Sequence, residues 1–152
     1  MAPRLARAGV TIVERRMLDP GKEFDALADL AGRADRVLVD APCSGTGTWR
    51  RNPEARWRLT PDRLARLEAE QSRLLALAAR LVRPGGTLTY VVCSLLPSEG
   101  EARILAFLAT RKDFAAQQFS IPGVSDRETS ITLSPRGQGC DGFFIAGLTR
   151  LC

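Results

Sequence analysis

Histidine is absent from this chain of 152 residues, lysine occurs only as Lys22 and Lys112, and apolar runs are short. Without histidine, no Cys–His or Ser–His catalytic pair can be built, and zinc loses its commonest nitrogen ligand. A reactive thiol must then be activated by a carboxylate, a helix N-terminus or an arginine. The cysteines, Cys43, Cys93, Cys140 and Cys152, show no CxxC spacing. That pattern argues against a zinc knuckle, and a chain of this size needs no disulfide staples. No run approaches the ~20 apolar residues of a membrane span, and MAPRLARAGV lacks the apolar core of a secretion signal. The expected location is the cytoplasm, with no membrane partner.

What is present is ordinary in bulk. An apolar fraction of 45% and a charged fraction of 26% fit one globular domain over residues 1–152. The net charge of +5 comes almost wholly from arginine and favours a polyanionic partner. A GC-rich genome would produce the same arginine excess.

Val10 to Arg16 has strand composition, and Met17 to Pro20 reads as a turn. Phe24 to Ala31 is a short helix candidate, and Arg36 to Asp40 is the first strong strand. Ser44 to Thr60 is irregular and rich in Gly, Arg and Trp. Thr60-Pro61 then opens a long helix as N-cap and first helical residue. Its stripe is Leu64, Leu67, Leu74, Leu75, Ala78 and Leu81, and Arg83-Pro84-Gly85-Gly86 stops it. A strand from Thr87 to Val92 follows. Ser98-Glu99-Gly100-Glu101 matches a capping box for a second helix with Ile104, Leu105 and Leu108 inward. A weak strand near Phe114 to Phe119 and a stronger one from Gly142 to Thr149 flank a Ser/Pro/Gly-rich loop. This is the α/β layer pattern, and its closing strands imply an antiparallel edge.

The two runs VLVDAPCSGTG (Val37 to Gly47) and TLTYVVCS (Thr87 to Ser94) hold the chemistry. Each is a β-branched apolar strand that breaks into small residues, as buried parallel strands do at their ends. Ligands in open α/β sheets collect beyond those ends. Asp40, Cys43 and Cys93 are therefore expected in one crevice, where a carboxylate and two thiols point to covalent chemistry.

DAPCSGTG at Asp40 to Gly47, VCS at Val92 to Ser94 and DGFF at Asp141 to Phe144 together resemble the Sun family of RNA cytosine-5 methyltransferases. The intervening WRRNPEARWRLTPDRLARLEAEQSRLL resembles the family's linking loop and helix, and the likeness runs from about Val10 to Arg150. It implies a partial Rossmann-like methyltransferase sheet, mostly parallel with an antiparallel C-terminal strand. It also implies S-adenosylmethionine as cofactor and RNA, here ribosomal RNA, as substrate. By resemblance, Cys93 is the nucleophile that attacks carbon 6, Cys43 helps break the adduct, and Asp40 holds the pyrimidine edge near the cofactor. Asp19 matches the family's acid at the adenine. The family's glycine-rich cofactor loop and ribose-gripping acid have no counterpart, so the expectation is a C-terminal catalytic portion. Alone, such a portion should bind cofactor weakly and methylate RNA at no useful rate. It should also self-associate through an exposed sheet edge.

Plainer readings stand beside these. Cys140 and Cys152 lie outside the motifs and read as small hydrophobes. Asp40 could cap a loop, Asp19 could be a turn residue, and DGFF reads as structural. Gly45-Thr46-Gly47 invites a phosphate-loop reading, but no GK[ST] follows it. Arg50, Arg51, Arg56 and Trp57 suit phosphate contact and base stacking, unless the loop is merely solvated and Trp57 is tucked against the core. The rival from another class is a non-catalytic RNA-binding or pseudo-enzyme fragment. A thiol hydrolase would lack its usual histidine base.

Overall fold

Alternation along one strand organises the molecule. In Val82–Val92 (β2), Leu88, Tyr90 and Val92 are completely buried, while Thr87, Thr89 and Val91 on the other face are half-buried. The structure is a computed structural model, which describes residues 2–9, 11 and 14–152. Its further elements are α1 (Ala2–Arg7), α2 (Glu23–Ala26), β1 (Ala34–Asp40), α3 (Pro61–Leu81) and α4 (Glu101–Thr110). The C-terminal part adds β3 (Phe114–Ala116), β4 (Phe119–Ile121), β5 (Ser125–Glu128), β6 (Ser130–Leu133), α5 (Pro135–Gln138) and β7 (Phe143–Arg150).

The sheet runs in the order β1-β2-β7-β3, with β6 also on β7. β1 and β2 are parallel, and β7 is antiparallel to β2, β3 and β6. The α/β class and the antiparallel C-terminal strand are both found, but β7 lies inside the sheet rather than at its edge. α3 and α4 cover one face. Leu75, Ala78 and Ala79 of α3 and Ile104 and Phe107 of α4 pack on Val39, Leu88, Tyr90, Val92, Phe144 and Leu148. Truncating a large residue of this core to alanine typically costs about 2–5 kcal/mol.

The Thr60 side chain accepts the Arg63 N–H and Pro61 starts α3, as expected. Several local expectations are corrected. Val10, Ile12 and Val13 of the expected first strand lie outside the described residues, and Glu14 to Arg16 form no strand. Arg16 instead pairs with Glu14 and Asp29. Phe24 to Ala31 splits into α2 and a 3-10 turn at Ala28–Leu30. Arg83 to Gly86 do not separate helix from strand: they bulge between the pairs Ala34–Val82 and Arg36–Thr87. In α4, Phe107 takes the buried place expected of Leu105, because Leu105 is rotated off the Ile104–Phe107–Leu108 stripe and is 61% exposed. The capping box does not form: the N-cap is Gly100, with no side-chain cap. The Ser/Pro/Gly-rich loop contains β5, β6 and α5.

Among the described residues, β1 pairs only with β2, which leaves its other edge open. Leu38 near the middle of that strand is 68% exposed. No helix among these residues is long and apolar enough to cross a membrane.

Candidate active site

Parallel register brings the two motifs together. Asp40 is opposite Val91, so β1 and β2 end side by side, and Ala41 N donates to Val91 O at 3.0 Å. Beyond the strands, Cys43 Sγ lies 3.3 Å from Cys93 Sγ, across a sequence separation of 50 residues. Gly47 N donates to Cys93 O at 3.1 Å and closes the first loop over the second.

The two thiols are displaced in opposite directions. The Cys43 hydrogen bond holds Cys93 down at about 7, helped by the Cys93 backbone and opposed by burial and the charges of Asp40 and Glu99. Cys43 is pushed well above the usual thiol range, first by the Cys93 contact and then by burial. The proton therefore stays on Cys43, and the negative charge settles on Cys93 near neutral pH. Asp40, whose charge bears on Cys93, is exposed at the end of β1. Among the described residues no side chain pairs with its carboxylate.

A residue that the local pattern hid completes the arrangement. Glu99 is fully buried behind the thiols, although its tetrapeptide reads as a helix cap. It accepts the Ser44 N–H at 2.8 Å, a Gln71 amide hydrogen at 3.0 Å, and the hydroxyls of Ser44 and Ser94. The one available signal was the serine that follows each cysteine. Ser94 Oγ is also 3.0 Å from Thr46 Oγ1, which accepts Leu95 N at 2.9 Å.

The DGFF segment is more than a sheet-closing strand. Gly142 N donates to Gly47 O at 2.8 Å, and a Cβ on Gly47 would stand 2.1 Å from Gly142 O, so only glycine allows this approach. Asp141 is buried and accepts from Arg51 Nε at 2.6 Å, with Arg50 at 3.5 Å from its other oxygen. The Arg51 guanidinium holds the Asp141 carboxyl below its usual range. Arg50 and Arg51 thus brace the loop while their side chains stay largely exposed. Trp57 is not tucked into the core: it is 77% exposed, with the Arg56 guanidinium 4.6 Å from its ring centre.

Asp19 lies in an exposed segment before the turn at Pro20 to Lys22, and among the described residues no hydrogen bond or ion pair joins it to the thiol pair. Its neighbour Leu18 lines a groove of about 270 Å³ along β1, shared with Leu38, Asp40, Leu74 and Leu77. Cys140 donates to Asp141 O, whereas Cys152 is exposed rather than buried as a small hydrophobe. Among the described residues there is no cluster that could hold a metal.

The fold, an α/β sheet whose adjacent parallel strands end in facing cysteines, is of the Rossmann-like class found in methyltransferases. A family profile described as "16S rRNA methyltransferase RsmB/F" matches residues 4–149, and the chain belongs to that family. The resemblance to the Sun family is thereby borne out. The ribosomal RNA small subunit methyltransferase B of Thermus thermophilus is 46% identical over 120 residues, covering 78% of this chain and 30% of its own length. The enzyme of the same name from Erwinia tasmaniensis is 33% identical, covering 98% and 35%. Among solved structures, NSun6 from Pyrococcus horikoshii with SFG matches at a TM-score of 0.77 and 28% identity, over 100% of this chain and 38% of that one. The chain spans about a third of the length of these relatives.

Proposed function

We propose that this chain carries the covalent machinery of a cytosine-5 methyltransferase that acts on ribosomal RNA and uses S-adenosylmethionine. The observation that carries the reading is the thiol pair, 3.3 Å apart, with one sulfur poised as thiolate and the other as its hydrogen-bond donor. The names of the relatives support RNA as the substrate class.

Carbon 5 of cytosine is too electron-poor to attack a methyl donor. The Cys93 thiolate adds to carbon 6, forming a C6–S bond and moving the ring's electron pair to carbon 5. Asp40 accepts a hydrogen bond from the pyrimidine edge and holds the ring in line. S-adenosylmethionine, when bound, supplies an electrophilic methyl group. After transfer, carbon 5 loses its proton to water, the C6–S bond breaks and the ring double bond returns. Cys43 keeps its proton throughout, and by donating to the departing Cys93 sulfur it stabilises the leaving thiolate. For the cofactor, the chain offers two carboxylates, Asp19 and Asp40, that no side chain among the described residues pairs, with the apolar groove from Leu18 to Asp40 between strand and helix. These suit an amphipathic nucleoside. Arg50, Arg51, Arg56 and Trp57 form the RNA-facing loop. The open edge of β1 is the surface through which two copies associate, since an unpaired strand templates another.

The decisive experiment compares Cys43→Ala with Cys93→Ala in this chain completed by the remainder of the Thermus thermophilus relative. With RNA and S-adenosylmethionine, Cys43→Ala is expected to accumulate a protein–RNA adduct that survives a denaturing gel. Cys93→Ala should form none. The reverse pattern would mean exchanged roles, and no adduct in either would favour a non-catalytic RNA-binding fragment.

A further inference from the structure

We infer that Glu99 is the positioning residue of the thiol pair: its buried carboxylate binds both cysteine loops at once and so sets the distance between Cys43 and Cys93. The inference deepens the covalent-methylation reading and takes its functional meaning from it, but its test does not depend on RNA.

The two loops are built alike. Ser44 and Ser94 directly follow the two cysteines, and their hydroxyls lie 3.3 Å apart, just as the sulfurs do. Both hydroxyls donate to Glu99 Oε2, and Ser44 N and Gln71 Nε2 donate to Oε1. Four donors on one group require an acceptor on both sides, which a carboxylate provides and an amide does only in part. The Glu99 backbone is itself fixed, since its N–H reaches Leu96 O at 3.0 Å and its carbonyl accepts the Tyr90 hydroxyl at 2.8 Å. Gln71, on α3, also donates to Pro42 O at 3.0 Å, so the helix pins the residue that precedes Cys43.

No arginine or lysine among the described residues pairs with this carboxylate. A buried charge satisfied only by neutral donors is expensive to keep. An apolar residue of similar volume would serve a purely packing role at lower cost. The carboxylate also opposes the Cys93 thiolate electrostatically, so it is not there to activate the nucleophile by charge. What it supplies is reach: it holds Cys43 close enough to donate to Cys93.

Reach and charge are separable. Glu99→Asp keeps the charge but is one methylene too short to bridge both loops. Glu99→Gln keeps the reach and loses the charge: its oxygen can take the Ser44 and Gln71 N–H groups, and its NH2 can donate to the two serine hydroxyls, which then accept. Iodoacetamide labelling of the chain across the neutral pH range, with Cys43- and Cys93-containing peptides resolved by mass spectrometry, reads the consequence. Wild-type Cys93 should label half-maximally at about pH 7. In Glu99→Asp the Cys93 profile should move up toward the ordinary thiol value, slowing its labelling at neutral pH by about 15-fold. In Glu99→Gln it should stay where it is or move down. An unchanged profile in a folded Glu99→Asp protein, or an upward shift in Glu99→Gln alone, overturns the inference. Should circular dichroism show Glu99→Asp unfolded, Ser94→Ala cuts the Cys93 loop from the carboxylate, and Ser44→Ala weakens the other link, leaving only the residue-44 N–H on Oε1. An upward shift in either sustains the inference, and no shift in both overturns it. If the labelling behaves as stated but the completed enzyme forms no RNA adduct, the positioning role stands and the methylation reading falls.

Discussion

Two sulfurs 3.3 Å apart share one proton before either gives up the second, and this asymmetry governs the residue-scale chemistry. With its pKa held down to about 7, Cys93 is half ionised there, mostly thiolate above it and mostly thiol below it. The sign follows directly: adduct formation should rise with pH through that value and fall away on the acid side. The Cys43 hydrogen bond is the largest cause of the low value, so Cys43→Ala should move the Cys93 midpoint upward as well as blocking release. Thiolate absorbance followed through a pH titration of the two proteins checks this, and an unmoved midpoint would count against the contact. The two cysteines were legible because a β-branched run ending in small residues marks a strand end whatever surrounds it. Glu99 was not. Its neighbours fit a helix cap equally well, and its actual partner, Ser44, is 55 residues away.

Elements were legible where period or capping chemistry specified them, and less so where short polar strands depend on a neighbour. The stripe of α3 and its Thr60-Pro61 start are local facts about the chain. β5 and β6, with the sequences SDRE and SITL, have no strong apolar alternation and owe their form to β4 and β7. The arginine-rich loop shows the same division. Its composition pointed to RNA, but only the structure separates Arg50 and Arg51, braced on Asp141, from Arg56, which lies over Trp57. Arg56→Ala should therefore flatten the salt dependence of RNA binding by a slope of about 0.7, the value for one lost single-strand phosphate contact. Arg51→Ala should add a loss of thermal stability, because it leaves the buried Asp141 with less of its compensation. Binding titrations at several salt concentrations, with melting curves for both variants, separate the two roles. Equal slopes in wild type and Arg56→Ala would return that side chain to the solvent.

At the scale of the molecule, the edge of β1 that stands open among the described residues dominates. Antiparallel pairing of two copies about Leu38 would set Arg36 of one strand opposite Asp40 of the other, with the exposed leucines in contact. Light scattering should therefore show association that grows with concentration and weakens in Leu38→Lys, where a charge interrupts the edge. The same edge borders the groove proposed for the cofactor, and these 152 residues contain no glycine-rich cofactor loop. Calorimetry with S-adenosylmethionine should accordingly show weak binding by the chain alone. Micromolar binding by a clean monomer would mean a more complete site than Asp19, Asp40 and the groove provide.

The placement of β7 has a consequence for the order in which the protein can be made. This strand follows all the others of its sheet in sequence, yet it is not added at a margin: it inserts between β2 and β3 and carries β6 as well. The Gly47 loop likewise waits for Gly142 to arrive. Until β7 has left the ribosome, the nascent chain can form α3 against β1 and β2 but cannot close the sheet or brace the loop beside its thiols. The thiol pair thus precedes in sequence the strand that braces its loops, and a chain interrupted before β7 would hold both cysteines without that brace.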